Sequence, residues 1–332
     1  MTAYPIALDL EQPPLFDTRN MLIQEVQRGL RRQPRSLPPW IFYDERGSCI
    51  FESITQLPEY YPTRTEREIL VKFSDEIIAA AFGGKAKAAR LLELGAGTAS
   101  KTMILLDAAA RSQGEVLYAP VDVSADALDV AREAIAAMLP EITISPIVAN
   151  YVTHPPRLGS FDGPTLGLYI GSSIGNFEPE EARTILRNLR CQLQPDDALL
   201  LGVDMVKDVP TLVAAYDDGD GVTAEFNLNM LHRLNRELGA DFNTAGFHHR
   251  VLWCPERSRI EMHLESACGQ WVHIDAAGLD VHFAKGERIH TENSYKFTHQ
   301  AVRDLLNDAG FEVEGTWTDE RQWFSVTLAR IV

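Results

Sequence analysis

The chain has 332 residues, 45% of them apolar and 23% charged, which is the composition of a globular protein and excludes a disordered or fibrous one. A formal net charge of -16 argues against a main role on nucleic acid, where clustered Lys and Arg must neutralise phosphates. No apolar run reaches the ~18 residues that span a bilayer, and the N-terminal stretch MTAYPIALDLEQPPLFD lacks a basic or apolar leader region, so no membrane partner and a cytoplasmic address are expected.

The first ~65 residues, rich in Pro and aromatic side chains, show no alternation of strand and helix and are expected to pack over the ligand edge of a sheet. From Ala89, ARLLELGAGTASKT reads as a buried strand (Leu91 to Leu94), a turn at Gly95 and Gly97, and a helix through Leu105 and Leu106. EVLYAPVDVS is a second strand with Asp122 near its end, followed by an Ala-rich helix from Ala125 to Ala137. ITISPIVANY and TLGLYIGSSIGN are the third and fourth strands, ARTILRNLRCQL an amphipathic helix and DALLLGVDMV a fifth strand. This alternation predicts an α/β fold with a mostly parallel sheet.

Between Lys207 and Phe297 the alternation lapses into helical patterns (VPTLVAAYDD, FNLNMLHRLNREL) and strand-like runs (RIEMHLES, DVHFAKGE), the mark of an inserted module. HQAVRDLLNDAGF then forms a helix closed by Gly310, and EVEGTWTD and WFSVTLARI form an antiparallel hairpin at the sheet edge. The predicted division is a sheet domain of residues 66–206 and 298–332, interrupted by a second domain of 1–65 and 207–297.

Open parallel sheets bind ligands beyond the carboxyl ends of their strands, with the first strand-to-helix turn making the central contact. Here that turn reads G-A-G-T-A-S, without the third glycine of a nicotinamide fingerprint, which counts against a dehydrogenase. Asp122 lies where an acid can accept from both ribose hydroxyls of an adenosine ligand; alone, it also reads as a solvated cap near Ser124. The fourth strand ends in GSSIGN and not in an N/D-P-P-Y/F motif, against a DNA amino-methyltransferase. Cys49, Cys191, Cys254 and Cys268 are scattered with no C-x-x-C pair, and His248 and His249 point apart with no ligand at the right spacing, so no metal is expected; YDDGDG lacks the later acid of a calcium loop.

The words SLPPWIFYDERGSCIFESITQLPEYYPTRTE, LELGAGTASKT, GSSIGN, DMVKD followed by AYDD, RIEM and TENSYKF, in this order over nearly the whole chain, resemble the L-histidine Nα-methyltransferases of ergothioneine biosynthesis, which make hercynine. The resemblance implies a class I, Rossmann-like methyltransferase domain using S-adenosylmethionine as co-substrate and free L-histidine as the small-molecule substrate; a monomer is expected, although the sequence itself does not fix the oligomeric state. Gly95, Lys101 and Asp122 match cofactor-binding positions, Gly97 of the same turn is expected beside them, and Asn150-Tyr151 stands where the family has Asp-Phe beside the adenine. Tyr43, Gly171 and Asn176 match residues around the amine and carboxylate, Tyr60 and Tyr216 further polar contacts, and Met262, Glu292 and Ser294 the wall around the imidazole.

Methyl transfer from a sulfonium is an in-line displacement, so the enzyme holds a nitrogen lone pair against the methyl carbon and excludes water. Tyr43 and Asn176, the expected catalytic pair, carry no charge that would favour the ammonium form over the nucleophilic amine. Glu292 and Ser294, two apart, share a face if that segment is extended and can then read both imidazole nitrogens. An apolar wall in their place would favour an indole, so an acceptor such as tryptophan stays open, as does a non-catalytic protein that binds the cofactor alone. Without the resemblance, Tyr60 and Tyr61 read as core, Asn176 as a helix cap, Tyr216 as packing, Lys101 as a surface residue and Glu292 as a solvated loop acid.

Overall fold

The computed structural model describes residues 18–332 apart from Lys85, Thr153, His154, Pro156, Arg157, Leu158 and Ser160; the stretch MTAYPIALDLEQPPLFD lies outside the described residues. Before the first long strand the chain is helical: α1 (Thr18–Arg31), a two-residue strand β1 (Arg35–Ser36), a 3-10 turn at Pro39–Phe42, α2 (Glu45–Thr55) and α3 (Tyr61–Phe82). Asp44 caps α2 by accepting from the Gly47 amide at 2.7 Å, and Pro62 suits the first turn of α3, where its missing N–H has no intrahelical partner to lose.

Alternation begins with β2 (Ala88–Leu94), α4 (Thr102–Ser112), β3 (Glu115–Asp122), α5 (Ala125–Met138), β4 (Ile142–Ile144), β5 (Ile147–Val148), β6 (Thr165–Tyr169), α6 (Pro179–Arg190) and β7 (Ala198–Asp204). Strands β2, β3, β6 and β7 are covered on both faces, which is why their sequences are near-continuous apolar runs. ITISPIVANY was expected as one strand, but Pro146 cannot donate to a ladder and divides it into β4 and β5, each pairing separately with β3.

The insertion comprises α7 (Val209–Ala214), α8 (Val222–Leu238), β8 (Phe247–Cys254), β9 (Arg259–Ser266), β10 (Gln270–Ile274), β11 (Leu279–Phe283) and β12 (Arg288–Tyr295). The chain then completes the main sheet with α9 (His299–Asp308), β13 (Phe311–Thr318) and β14 (Phe324–Ile331). The eight-stranded sheet has the order β13-β14-β7-β6-β2-β3-β4, with β5 also on β3, and only β14 runs against the others. Strand order reverses beside β2, since β3 lies on one side of it and β6 on the other. Helices α3, α4 and α5 pack on one face and α6 and α9 on the other, each with its own apolar core.

A third core joins Leu22, Val26, Ile41 and Phe42 of the N-terminal segment to Met230, Leu234, Leu264 and Phe283 of the insertion. The four-stranded sheet β1-β12-β9-β8 repeats that union, because β1 pairs in parallel with β12. Both stems of the insertion meet the main sheet at one point. Met205 bridges Phe297, the Val206 amide donates to the Phe297 carbonyl at 2.9 Å, and the Phe297 amide to the Asp204 carbonyl at 2.9 Å.

Candidate active site

The carboxyl ends of β2, β3, β6 and β7 deliver Gly95, Asp122, Gly171 and Asp204 to one rim of the sheet. Gly95 has φ +70, and a Cβ there would sit 3.1 Å from the Tyr151 hydroxyl, so only glycine makes this turn without displacing Tyr151. Asp122 accepts from the Gly97 amide at 2.8 Å through one carboxylate oxygen and from the Ser124 amide at 2.9 Å through the other. Both oxygens keep a further lone pair. Burial pushes the Asp122 carboxyl above its ordinary range against the pull of these amides. Ser124, not Asp122, caps α5.

Tyr151 stands edge-on to Tyr169, with ring centres 5.8 Å apart, and burial raises its phenol to about 12. Next to it, the buried Ser173 Oγ has no hydrogen-bond partner. Lys101, at the start of α4, forms an ion pair with the fully buried Glu66, whose other oxygen accepts from the Gly171 amide at 2.9 Å. Gly171 has φ +81, and a Cβ there would lie 3.1 Å from Lys101 Nζ. Glu93 lies beneath the glycine turn, bound by the Thr102 hydroxyl at 2.8 Å and by the Tyr118 hydroxyl, and burial raises it to about 7.

Facing this rim are side chains of the third core. Tyr43 is held edge-on by Phe51 and Phe226, with ring centres at 5.8 and 5.7 Å, and Tyr60 packs edge-on against Tyr216 at 6.2 Å. Asn176, in the 3-10 turn Ser173–Asn176, donates from Nδ2 to Glu292 Oε1 at 3.2 Å. Glu292 is 7% exposed and lies opposite Met262 in the β12–β9 ladder, just past a register shift after His290. Burial raises its carboxyl to about 8, with Lys296 pulling the other way. Ser294 Oγ and the Tyr216 hydroxyl lie 2.7 Å apart, and Lys296 Nζ contacts both, at 2.8 and 2.9 Å.

A single cavity of about 860 Å³ is lined by Tyr43, Tyr60, Gly95, Gly97, Lys101 and Asp122 and equally by Asn150, Tyr151, Gly171, Asn176, Tyr216, Met262, Glu292 and Ser294. The volume lies in the range of small-molecule sites, ~300–1,000 Å³. Every residue proposed from sequence is therefore at one site, and several simpler readings give way. The cap of α6 is Glu178 with its capping box, which frees Asn176; Lys101 is paired with a buried acid; and Glu292 is on a buried strand, not a solvated loop. His249 points inward from β8 and contacts Asn227 at 2.8 Å and the Tyr216 carbonyl at 2.9 Å, while Asp218 of YDDGDG accepts the Val222 and Thr223 amides ahead of α8.

Sequence reasoning passed over Glu66, Glu93, Ser173, Asp204 and Lys296. All five were in view, Glu66 at the end of EYYPTRTE, Glu93 in LELGAG, Ser173 in GSSIGN, Asp204 in DMVKD and Lys296 in TENSYKF, although their roles appear only once the elements are side by side. Asp204 is 1% exposed and accepts from the Tyr61 hydroxyl at 2.7 Å, from Lys207 at 2.5 Å and from Lys296 at 2.7 Å. Burial lowers the Lys207 ammonium to about 8 despite that carboxylate.

The family model described as histidine-specific methyltransferase, SAM-dependent, matches residues 22–331, which takes in both sheets and the cavity between them. The chain belongs to this family. A histidine N-alpha-methyltransferase of Mycolicibacterium smegmatis is 44% identical over 308 residues, covering 93% of this chain and 94% of that protein. A histidine N-alpha-methyltransferase of Mycobacterium tuberculosis is 42% identical over the same length and shares. Ergothioneine biosynthesis protein 1 of Neurospora crassa is 30% identical over 324 residues, 90% of this chain but 33% of that larger protein. In this methyltransferase the glycine turn and the two free lone pairs of Asp122 suit an adenosyl sulfonium ligand at the sheet rim.

Proposed function

We propose that this methyltransferase moves methyl groups from S-adenosylmethionine to the α-amine of free L-histidine, three in succession, giving hercynine for ergothioneine biosynthesis. The observation that carries the reading is the buried Glu292 carboxyl in the same cavity as the Gly95 turn and Asp122. A carboxyl with no Arg partner, facing an uncharged aromatic wall, suits a small polar ring that carries an N–H. The names and identities of the two mycobacterial relatives support the same acceptor.

When bound, S-adenosylmethionine supplies an electrophilic methyl group, and the remaining work falls to this chain. Gly95, Gly97, Asp122, Asn150, Tyr151 and Lys101 are assigned to holding it. Tyr43 and Asn176 are assigned to the amine and carboxylate of the amino acid, with Gly171, Tyr60 and Tyr216 beside them. Burial raises the Tyr43 phenol well above its ordinary range, so it stays neutral, and a neutral neighbour does not favour ammonium over free amine. Met262, Glu292 and Ser294 are assigned to the imidazole. The unit of residues 1–65 and 207–297 then supplies most of the amino-acid contacts, and the unit of 66–206 and 298–332 supplies the cofactor contacts together with Gly171 and Asn176.

Incubating purified protein with S-adenosylmethionine and each common amino acid, with products followed by mass spectrometry, tests the reading. Trimethylhistidine as the sole product is expected. Methylation of tryptophan or another amino acid in its place would overturn the acceptor, and binding without product would leave a non-catalytic role.

A further inference from the structure

The insertion's return stem carries a buried cation that neither the cofactor nor the methyl transfer requires. Lys296 has a fully buried side chain, and its Nζ has three oxygen neighbours: Asp204 Oδ2 at 2.7 Å, Ser294 Oγ at 2.8 Å and the Tyr216 hydroxyl at 2.9 Å. An ammonium has three protons and no acceptor, so these three contacts use it completely. Asp204 is fixed in turn by Tyr61 and Lys207, so Lys296 cannot turn away from the pair of hydroxyls.

The consequence lies in where the two hydroxyl protons go. Tyr216 and Ser294 each accept from Lys296, and they are 2.7 Å from one another, so one hydroxyl donates to the other. That uses one proton and leaves one. Whichever hydroxyl donates, the pair presents a single O–H donor to the cavity, and an ammonium on its far side disfavours a second cation there. Glu292, whose Oε1 accepts from Asn176, keeps a further lone pair and so serves as the acceptor whether or not the carboxyl holds its proton.

We propose that Lys296, anchored by Asp204, is a specificity-determining positioning residue that fixes the Tyr216–Ser294 pair as a hydrogen-bond donor. The site then accepts a neutral ring that has one bare nitrogen and one N–H. This deepens the reading of histidine as acceptor and rests on it. Lys296 reaches the substrate only through the two hydroxyls. An indole, or any ring with an N–H but no bare nitrogen, leaves the last hydroxyl proton unpaired in a buried wall, and sites of this kind reject such ligands strongly.

The test uses histidine and two analogues, β-(pyrrol-2-yl)alanine and β-(pyrrol-3-yl)alanine, in which C–H replaces one or the other ring nitrogen. The wild-type protein should favour histidine over the better analogue in kcat/KM by about 10³-fold or more. In Lys296→Met the left-over hydroxyl proton can turn to the Asp204 oxygen that Lys296 vacates, and the ratio should fall by at least about tenfold, chiefly through a rise in KM for histidine and not for the analogue. Should the lone Asp204 charge unfold that variant, the double variant K296M/D204N removes both charges and is read in the same way. A wild-type protein that methylates histidine and a pyrrole analogue equally well overturns the proposal. So does a variant that loses both activities in proportion, since that is the result of a purely structural role. Failure of the wild type to methylate histidine at all would instead fall on the function, a separable result.

Discussion

Glu292→Gln should alter how stability depends on pH, in a direction fixed by burial. The native carboxyl titrates near 8, against 4.5 ordinarily, so the folded protein holds a proton that the unfolded chain releases between those values. With the folded value raised, the stabilising contribution is complete below about 4.5, falls as pH rises and is gone above about 8. Each pH unit in the window is worth at most about 1.4 kcal/mol, a ceiling of ~5 kcal/mol over the whole shift, and relaxation around the charge makes ~2–5 kcal/mol the expected range. Gln has the same shape, retains an oxygen for Asn176 Nδ2 and does not titrate. Urea unfolding of both proteins at about pH 5 and about pH 9 reads the effect: Gln should gain ~2–4 kcal/mol on the wild type between the two. A difference between the proteins that is constant to within about 0.5 kcal/mol would mean that Glu292 titrates as it does in water, and the account of a desolvated wall would fail.

Asp122→Asn removes a charged acceptor and should weaken S-adenosylmethionine binding by about 10–100-fold in calorimetry, with amino-acid affinity unchanged. Gly171→Ala, at φ +81 and against Lys101 Nζ, should cost about 1–2 kcal/mol in unfolding free energy, and mass spectrometry should show mono- and dimethylated products accumulating. Phe226→Ala empties a position packed on Tyr43, Phe42 and Phe51; a loss of about 3–5 kcal/mol is expected by denaturation, together with a drop in kcat as Tyr43 loses its support.

The main sheet is legible in the sequence because strands covered on both faces must be apolar throughout, and LLELGAG, DALLLGVD and TLGLY admit little else. The cofactor rim is legible for the same reason, as it lies at the ends of those strands. Strand β12 is the opposite case. Its stretch RIHTENSY has almost no hydrophobic alternation, since one face lines the cavity with Glu292 and Ser294. Its remaining side chains make polar contacts as well: His290 to Asn293 at 2.8 Å, and Tyr295 to Glu178 and Arg259 at 2.8 and 2.6 Å. A strand buried by polar partners has no periodic signature, which is why Glu292 alone reads as a loop acid. Helices α1 to α3 were missed on similar grounds, because Pro34, Pro38, Pro39 and Pro62 punctuate a segment whose helices fit between them.

The parallel pairing of Arg35 with Ile289 and of Ser36 with His290 also bears on how the protein is born. At a synthesis rate of about 5–20 residues per second, some 10–50 s separate the emergence of the two strands, during which α1 and α2 expose apolar faces whose partners are not yet made. The sheet rim, interrupted by the insertion, waits as well, because β14 must slot between β7 and β13. Neither unit can close before β12 and β14 have emerged. Nascent chains stalled short of β12 should therefore be proteolysed rapidly.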